Sequence, residues 1–302
     1  MGLSLFFRFS TGLLLLAFFG CQGSGNPANR LFAKNILGGT LADSSFQKQT
    51  GVVLIVLSMK TPITSKNPSG RSHALCTGSL ISPTLVLTAA HCFADTKLVG
   101  AAVAFSTDLN TATADDVISA STFKINPLFN PSVTAGAAFS EGQPWNDLAL
   151  LKLSKVAPAT FQMAQLADVG QKITTGDKLT LAGYGVTTPL VNKIITDPKT
   201  GKTSLSPLPT AGSGTLRLVG DVEILKVTKD GKEIILNQKD GAIGACHGDS
   251  GGPAYIKKAD GDLVLVGITS RGTDLTGNCD QSNVFTGVSG YLDWIKENLD
   301  KM

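Results

Sequence analysis

Apolar residues along this chain come in short runs separated by turn-forming residues. The runs are Val52–Leu57, Ser79–Ile81, Leu85–Thr88, Val103–Phe105, Leu148–Leu153, Leu179–Ala182, Leu216–Ile224, Glu233–Leu236, Leu263–Thr269 and Val284–Gly287. Each has the length of a strand rather than a helix, and Gly, Pro, Asn, Asp or Ser stand between them, so the pattern predicts an all-β barrel or sandwich. The C-terminus departs from it. Over Gly290–Leu299 the residues Leu292, Ile295 and Leu299 fall on one helical face behind Ser289, which predicts a capped terminal helix. The stretch 186–215 carries Pro189, Pro198, Pro207 and Pro209, with Asp197-Pro198-Lys199-Thr200-Gly201 reading as a hairpin turn. It is expected to be an exposed loop, either restricting access to a functional cleft or a tolerated surface insertion.

The N-terminal segment is patterned differently again. Met1–Gly20 holds a single charge, Arg8, and an apolar run from Leu13 to Phe19, too short to span a bilayer as a helix and suited to a signal peptide (1–20). Phe18-Phe19-Gly20-Cys21 resembles a bacterial lipobox, in which the cysteine is acylated. Phe18 stands where leucine is usual, so ordinary secretion with an incidental cysteine is the alternative. Residues 21–35 are rich in Gly, Asn, Pro and Ser and read as a propeptide or tether. Apart from Cys21 there are four cysteines, and the even number suits an oxidising compartment.

Composition narrows the choice. A 302-residue chain that is 42% hydrophobic can fill the cores of one or two domains. Its net charge is only +3, aromatics make up 6%, and no cluster of Lys or Arg occurs, so a nucleic-acid partner is not expected.

The chemistry is concentrated in Gly244-Ala245-Cys246-His247-Gly248-Asp249-Ser250-Gly251-Gly252-Pro253. So many glycines around one serine make a poor strand and a poor helix, and predict a tight loop that holds Ser250 outward. The same loop can aim the backbone N–H groups of Gly248 and Ser250 at one point, as an oxyanion hole requires. A serine hydroxyl needs a neighbouring base, and there are three histidines. His73, after Pro68 and Gly70, reads as a solvated loop residue. His247 lies within the serine loop, where it can border a cleft. His91, delivered at the end of the apolar Leu85–Thr88 run, is the candidate base. Asp147, at the mouth of the apolar Leu148–Leu153 run, is the candidate acceptor for its other ring N–H.

These three segments, in the order His91, Asp147, Ser250, resemble the trypsin/chymotrypsin family of serine endopeptidases from about Ile36 to the C-terminus. The order does not fit the subtilisin or α/β-hydrolase arrangements. The resemblance implies two six-stranded antiparallel β-barrels with a C-terminal helix, one over 36–155 and one over 156–302. It also implies disulfides Cys76–Cys92 and Cys246–Cys279, protein or peptide substrates, a monomer, and no metal or cofactor. Ser270 matches the family serine that bonds the buried aspartate. A protease-fold binding or adhesion protein and an esterase are the alternative functions.

Specificity and activation are read the same way. Gly244 occupies the position where trypsin-like members place an aspartate at the base of the specificity pocket, so a preference for uncharged side chains is expected. Gly272 leaves the pocket wall open, Asn283 narrows it or adds a polar contact, and Arg271 stands where tryptophan is usual. Ile36-Leu37-Gly38-Gly39 resembles the activation sequence, in which cleavage before the isoleucine frees an amine that pairs with the acid before the nucleophile, here Asp249. The preceding residue is Asn35 rather than a basic one. Cleavage there would release the catalytic domain from a lipid on Cys21, changing a membrane-held precursor, periplasmic or at the outer membrane, into a secreted enzyme.

Overall fold

The computed structural model describes residues 36–130, 143–187, 193–196, 203–206, 212–238, 243–273, 279 and 282–302. The signal peptide, the tether, Cys21, Asn35 and the turn at 197–201 lie outside the described residues. Among those described, no helix is long and apolar enough to cross a membrane.

A short strand β1 (Thr40–Leu41) is followed by helix α1 (Ser44–Thr50). No apolar periodicity announces this helix; its ends define it. The Asp43 carboxylate accepts from Phe46 N at 2.8 Å, and Gly51, at φ 66°, donates its N–H to Gln47 O.

Strands β2 (Val52–Lys60), β3 (Arg71–Ser82), β4 (Leu85–Thr88), β5 (Leu98–Ala104), β6 (Val117–Ile125) and β7 (Ala149–Leu153) close into an antiparallel barrel in the order β2-β3-β4-β7-β6-β5. Then come β8 (Gln165–Leu166), β9 (Lys178–Gly183), the hairpin of β10 (Lys193–Thr196) and β11 (Thr203–Ser206), β12 (Arg217–Val227), β13 (Glu233–Leu236), β14 (Pro253–Lys257), β15 (Leu263–Gly272) and β16 (Asn283–Gly287). The second barrel runs β12-β13-β16-β15-β14-β9, and β9 returns to β12 to close it. Outside this ring, β8 lies parallel to β15, and β1 pairs with the start of β12, so the segment that begins at Ile36 is seated on the second barrel. The architecture is therefore two six-stranded antiparallel barrels with a short C-terminal helix, α2 (Leu292–Leu299).

The second barrel is filled by Leu179, Leu181, Ile224, Ile234, Val266 and Phe285, with Ile36 packed among them. The core of the first barrel, built on residues such as Leu54, Leu87, Val103 and Leu150, continues into Tyr184, Tyr255 and Ile268 of the second. Hydrogen bonds pin this seam. Tyr184 Oη donates to Ser106 O at 2.9 Å and accepts from Gln47 Nε2 at 2.8 Å, while Tyr255 Oη donates to Thr50 O at 3.2 Å.

Two local expectations change. His73 is exposed but sits in β3 opposite Ser58, because the turn ends at Gly70 and pairing begins at Arg71. Ser289 does not cap α2: residues Val288–Tyr291 form a 3-10 turn, and the helix starts from Tyr291 without a side-chain cap. Leu299 packs half buried against the core, and beside it the buried Asn298 accepts through Oδ1 from Lys124 Nζ of β6 at 2.6 Å.

Two disulfides form, Cys76–Cys92 and Cys246–Cys279, closing loops of 16 and 33 residues. On the chain-entropy account each stabilises the fold by about 3 to 4 kcal/mol. Each is also attached to a segment of the site described next.

Candidate active site

His91 is placed by a change of geometry. Strand β4 ends at Thr88, Ala89 stays extended, and a 3-10 turn over Ala90–Phe93 swings the ring out, with Cys92 bonded back to Cys76 on β3. The carboxylate of Asp147 then holds the residue twice. Oδ1 accepts from His91 N at 2.9 Å, and Oδ2 lies 2.7 Å from His91 Nδ1. With Nδ1 carrying the proton toward the carboxylate, Nε2 is left as the basic nitrogen. The imidazole remains about one-third exposed, at 31%, whereas Asp147 has no exposed surface.

A carboxylate so deeply buried needs several donors, and residues distant in sequence supply them. Ser270 Oγ donates to Oδ2 at 2.7 Å, and Thr286 Oγ1 donates to the Asp147 carbonyl at 3.1 Å. The preceding Asn146 sits at φ 53°. Its Nδ2 donates to Leu128 O and Pro144 O, and its Oδ1 accepts from Tyr291 Oη, all at 2.9 Å. Burial pushes the Asp147 carboxyl upward, but the charge of His91 and the hydrogen bonds from His91 and Ser270 outweigh it and hold the group below its usual range. For His91, burial lowers the pKa, and the charge and hydrogen bond of Asp147 more than compensate, so the imidazolium is favoured.

The serine loop folds tightly because its glycines allow it. Gly248 and Gly251 adopt φ 98° and 81°, and a Cβ at either would run into Gly185 or into Thr88 and Thr77. Thr77 of β3 clamps the loop: its N–H donates to Ser250 O at 2.8 Å and its Oγ1 to Gly248 O at 2.9 Å. Thr88 Oγ1 in turn donates to Thr77 O at 2.8 Å, and Cys92 Sγ lies 4.0 Å from Ser250 O, so the His91 turn and the Ser250 loop share supports. Ser250 is half-buried and His247 exposed. Asp249 points the other way and is 1% exposed. Its carboxylate accepts from Gly185 N at 2.8 Å and Cys246 N at 2.9 Å, and any side chain at Gly183 or Gly185 would overlap it.

Beyond the serine loop, Gly272 pairs with Asn283 across β15 and β16, and Asn283 Oδ1 accepts from Ala245 N at 3.1 Å, next to Gly244. Arg271 takes a different course. Its guanidinium stacks 4.4 Å from the centre of the Trp145 ring and lies 2.9 Å from Glu233 Oε1, an atom that also accepts from Trp145 N at 3.1 Å. Glu233 thus ties the residue after Ser270 to the segment before Asp147. Both side chains are nearly dry, at 8% and 2% exposed, so removing one charge strands the other. Arg271→Met is expected to lower unfolding stability by about 3–5 kcal/mol, with Glu233→Gln restoring part of that loss in the double variant. Urea denaturation of the four proteins measures the coupling, and additive losses would show that the pair does not act as a unit. Neither Glu233 nor Gln238, described below, carries a motif in the sequence; each reaches the site only through the pairing of β13 with its neighbours.

The family model for Trypsin matches residues 58–295. Among relatives, kallikrein 1-related peptidase b3 of Mus musculus is 30% identical, over 75% of this chain and 81% of its own length. Chymotrypsin-C of Bos taurus is 26% identical over 74% of this chain and 78% of its own length. Proproteinase E of Bos taurus is 29% identical over 76% and 85%.

Proposed function

The chain belongs to the trypsin family, and from that membership we propose that it is a serine endopeptidase in which Ser250, His91 and Asp147 perform the chemistry. The observation that carries this reading is the doubly held histidine: a buried carboxylate bonded to both His91 N and Nδ1 fixes one tautomer and presents Nε2 as a base. Ser250 Oγ attacks the scissile carbonyl and gives its proton to His91 Nε2. Asp147 stabilises the imidazolium, and the N–H groups of Gly248 and Ser250 receive the oxyanion. The proton passes from His91 to the leaving amine, and water repeats the sequence on the acyl-enzyme. Ser270–Gly272 of β15 pairs with the extended substrate, and Gly244, Gly272 and Asn283 line the pocket for the side chain before the cut. No step requires a metal or cofactor.

Activation follows from Asp249. In the chain that retains residues before Ile36, burial pushes this carboxyl up to about 7, against the lowering effect of its hydrogen bonds from Cys246 N and Gly185 N. Among the described residues, no cationic side chain forms an ion pair with it. Ile36 is 1% exposed and held at φ 33°, a strained angle for a β-branched residue. Cleavage before Ile36 frees that backbone and supplies the missing cation as an α-amino group. If Cys21 is the acylated N-terminus of the precursor, the same cut frees the enzyme from the membrane.

The reading is tested by treating the processed protein with a serine-directed fluorophosphonate and recording intact mass and N-terminal sequence. One adduct on Ser250 of a chain beginning at Ile36 supports it; an unlabelled chain beginning at Ile36 refutes it. Hydrolysis of a peptide should also rise with pH through the ionisation of His91, since only neutral Nε2 can accept the serine proton. The half-maximal pH is expected above 6.5, in the direction in which Asp147 moves the group. An activity already at its plateau at pH 5 would contradict the assignment of His91.

A further inference from the structure

Gln238, just beyond β13, has no exposed surface. Its Nε2 donates to Ala245 O at 3.1 Å and to Cys279 O at 2.8 Å. These two carbonyls fix the orientation of the amide, because the reversed amide would set oxygen against oxygen twice. Oε1 is buried and has no partner among the described residues. A Cβ added to Gly244 would fall on this carboxamide, so Gln238 fills the space that a side chain at 244 would take. Asn283, 6% exposed, holds the other side of the same residue, its Oδ1 accepting from Ala245 N at 3.1 Å. Two carboxamides therefore bracket Ala245, between Gly244 and the Cys246–Cys279 bridge, at the place assigned above to the side chain before the cut.

On the endopeptidase reading, we infer that this pocket selects a carboxamide, so that the substrates are peptides cut after Asn or Gln, the Asn35–Ile36 bond of the chain itself among them. The chemistry of the floor makes the choice. A buried acceptor that meets no donor is costly, and an aliphatic or aromatic side chain leaves it so. A lysine or arginine finds a neutral carbonyl where it needs a compensating charge. The NH2 of Asn or Gln donates to Gln238 Oε1, the acceptor left unfilled among the described residues. The sequence supplies the independent observation: the residue before Ile36 is Asn35, and trypsin-type cleavage after Lys34 would leave the product one residue too long to begin at Ile36.

The test uses the purified full-length chain and peptides that differ only at the residue before the cut: Asn, Gln, Leu, Met and Lys. Asn and Gln are expected to exceed the near-isosteres Leu and Met in kcat/KM by about ten- to a hundredfold or more, as a site built to hydrogen-bond an amide rejects the analogue that lacks it. In Gln238→Met the ratio of Gln to Met substrates is expected to fall towards one; the ratio is read rather than the rate, so partial loss of fold does not obscure it. The Ser250→Ala chain, offered as a substrate, should be cut at Asn35–Ile36 by the wild type, and Asn35→Leu should prevent this. Fluorophosphonate labelling runs alongside. A labelled wild type that prefers Leu, Met or Lys overturns the carboxamide pocket and leaves the peptidase reading standing. An unlabelled chain with its N-terminus intact overturns self-processing, and an unlabelled chain beginning at Ile36 overturns the peptidase reading itself.

Discussion

Ser250→Ala is expected to lower kcat for peptide hydrolysis by about a millionfold, and Asp147→Asn by about ten-thousandfold, with the chain still folded. Ser250 is half-buried and fills no core, so its loss should leave thermal unfolding within a degree or two of the wild type. Asp147→Asn acts through hydrogen-bond direction. Oδ2 faces both His91 Nδ1 and Ser270 Oγ, and Oδ1 faces His91 N. An amide nitrogen cannot accept. Placed at the first position it forces the ring proton onto Nε2, where the serine proton must arrive; placed at the second it opposes a backbone N–H in a site closed to water. Steady-state kinetics on one peptide, with circular dichroism to check the fold, measures both. Hydrolysis by Ser250→Ala at more than a trace of the wild-type rate would sink the assignment of the nucleophile.

The fold was legible wherever burial makes a strand apolar throughout. Val52–Leu57, Leu85–Thr88 and Leu148–Leu153 fall in or at the start of strands packed in the core of the first barrel, and they stand out as runs in which only Thr88 and Lys152 are polar. Strand β6, Val117–Ile125, is largely exposed and reads as Ser, Thr and Lys between isolated apolar residues, so the same criterion passes over it. Strand β14 is masked by Pro253, which a search for strand interiors rejects but which is acceptable as the first residue of a strand. His73 was misread for a similar reason: the turn signals of Pro68 and Gly70 end one residue before the pairing starts.

In the site, the residues that announce themselves are those with glycines or apolar runs around them. Ser250, His91 and Asp147 each lie at the end or mouth of such a run, and the two disulfide pairs follow from the family pattern. Glu233 and Gln238 do not announce themselves. A glutamate opening an apolar strand and a glutamine after it look like solvated residues, yet they are 2% and 0% exposed. Their roles come mostly from partners distant in sequence, Arg271 and Trp145 for the first and Cys279 for the second, with Ala245 nearer along the chain. Such pairings are set by barrel closure, which no local window of residues contains.

Asp249 carries the second large effect, a loss of stability with rising pH that only the uncut chain should show. To keep the precursor intact, the measurement is made in the Ser250→Ala background. Unfolded, the carboxyl titrates near 3.9; folded and buried, it titrates at about 7. Between these values the folded chain holds a proton that the unfolded chain has released, so stability falls as pH rises from about 4 to 7 and stays at the lower level above it. The displacement amounts to about 4 kcal/mol. Other groups titrate in the same window, so the informative quantity is the difference from the Asp249→Asn chain, whose amide does not titrate and whose NH2 opposes one of the two backbone N–H donors at a cost that is the same at every pH. The gap between the two curves should move in favour of asparagine by about 4 kcal/mol between pH 4 and pH 7. In a chain beginning at Ile36 that gain is absent, because the new α-amino group pairs with the carboxylate and asparagine leaves that amine buried and alone. The same exchange should leave the processed enzyme with less than about one per cent of its kcat/KM, since the oxyanion loop is then held by one charge instead of a pair. Urea unfolding at several pH values, on both chain lengths, reads the movement of the gap directly. If the gap between Asp249→Asn and its parent does not move towards asparagine from pH 4 to pH 7 in the uncut chain, or if the variant remains fully active once cut, activation does not run through this carboxylate.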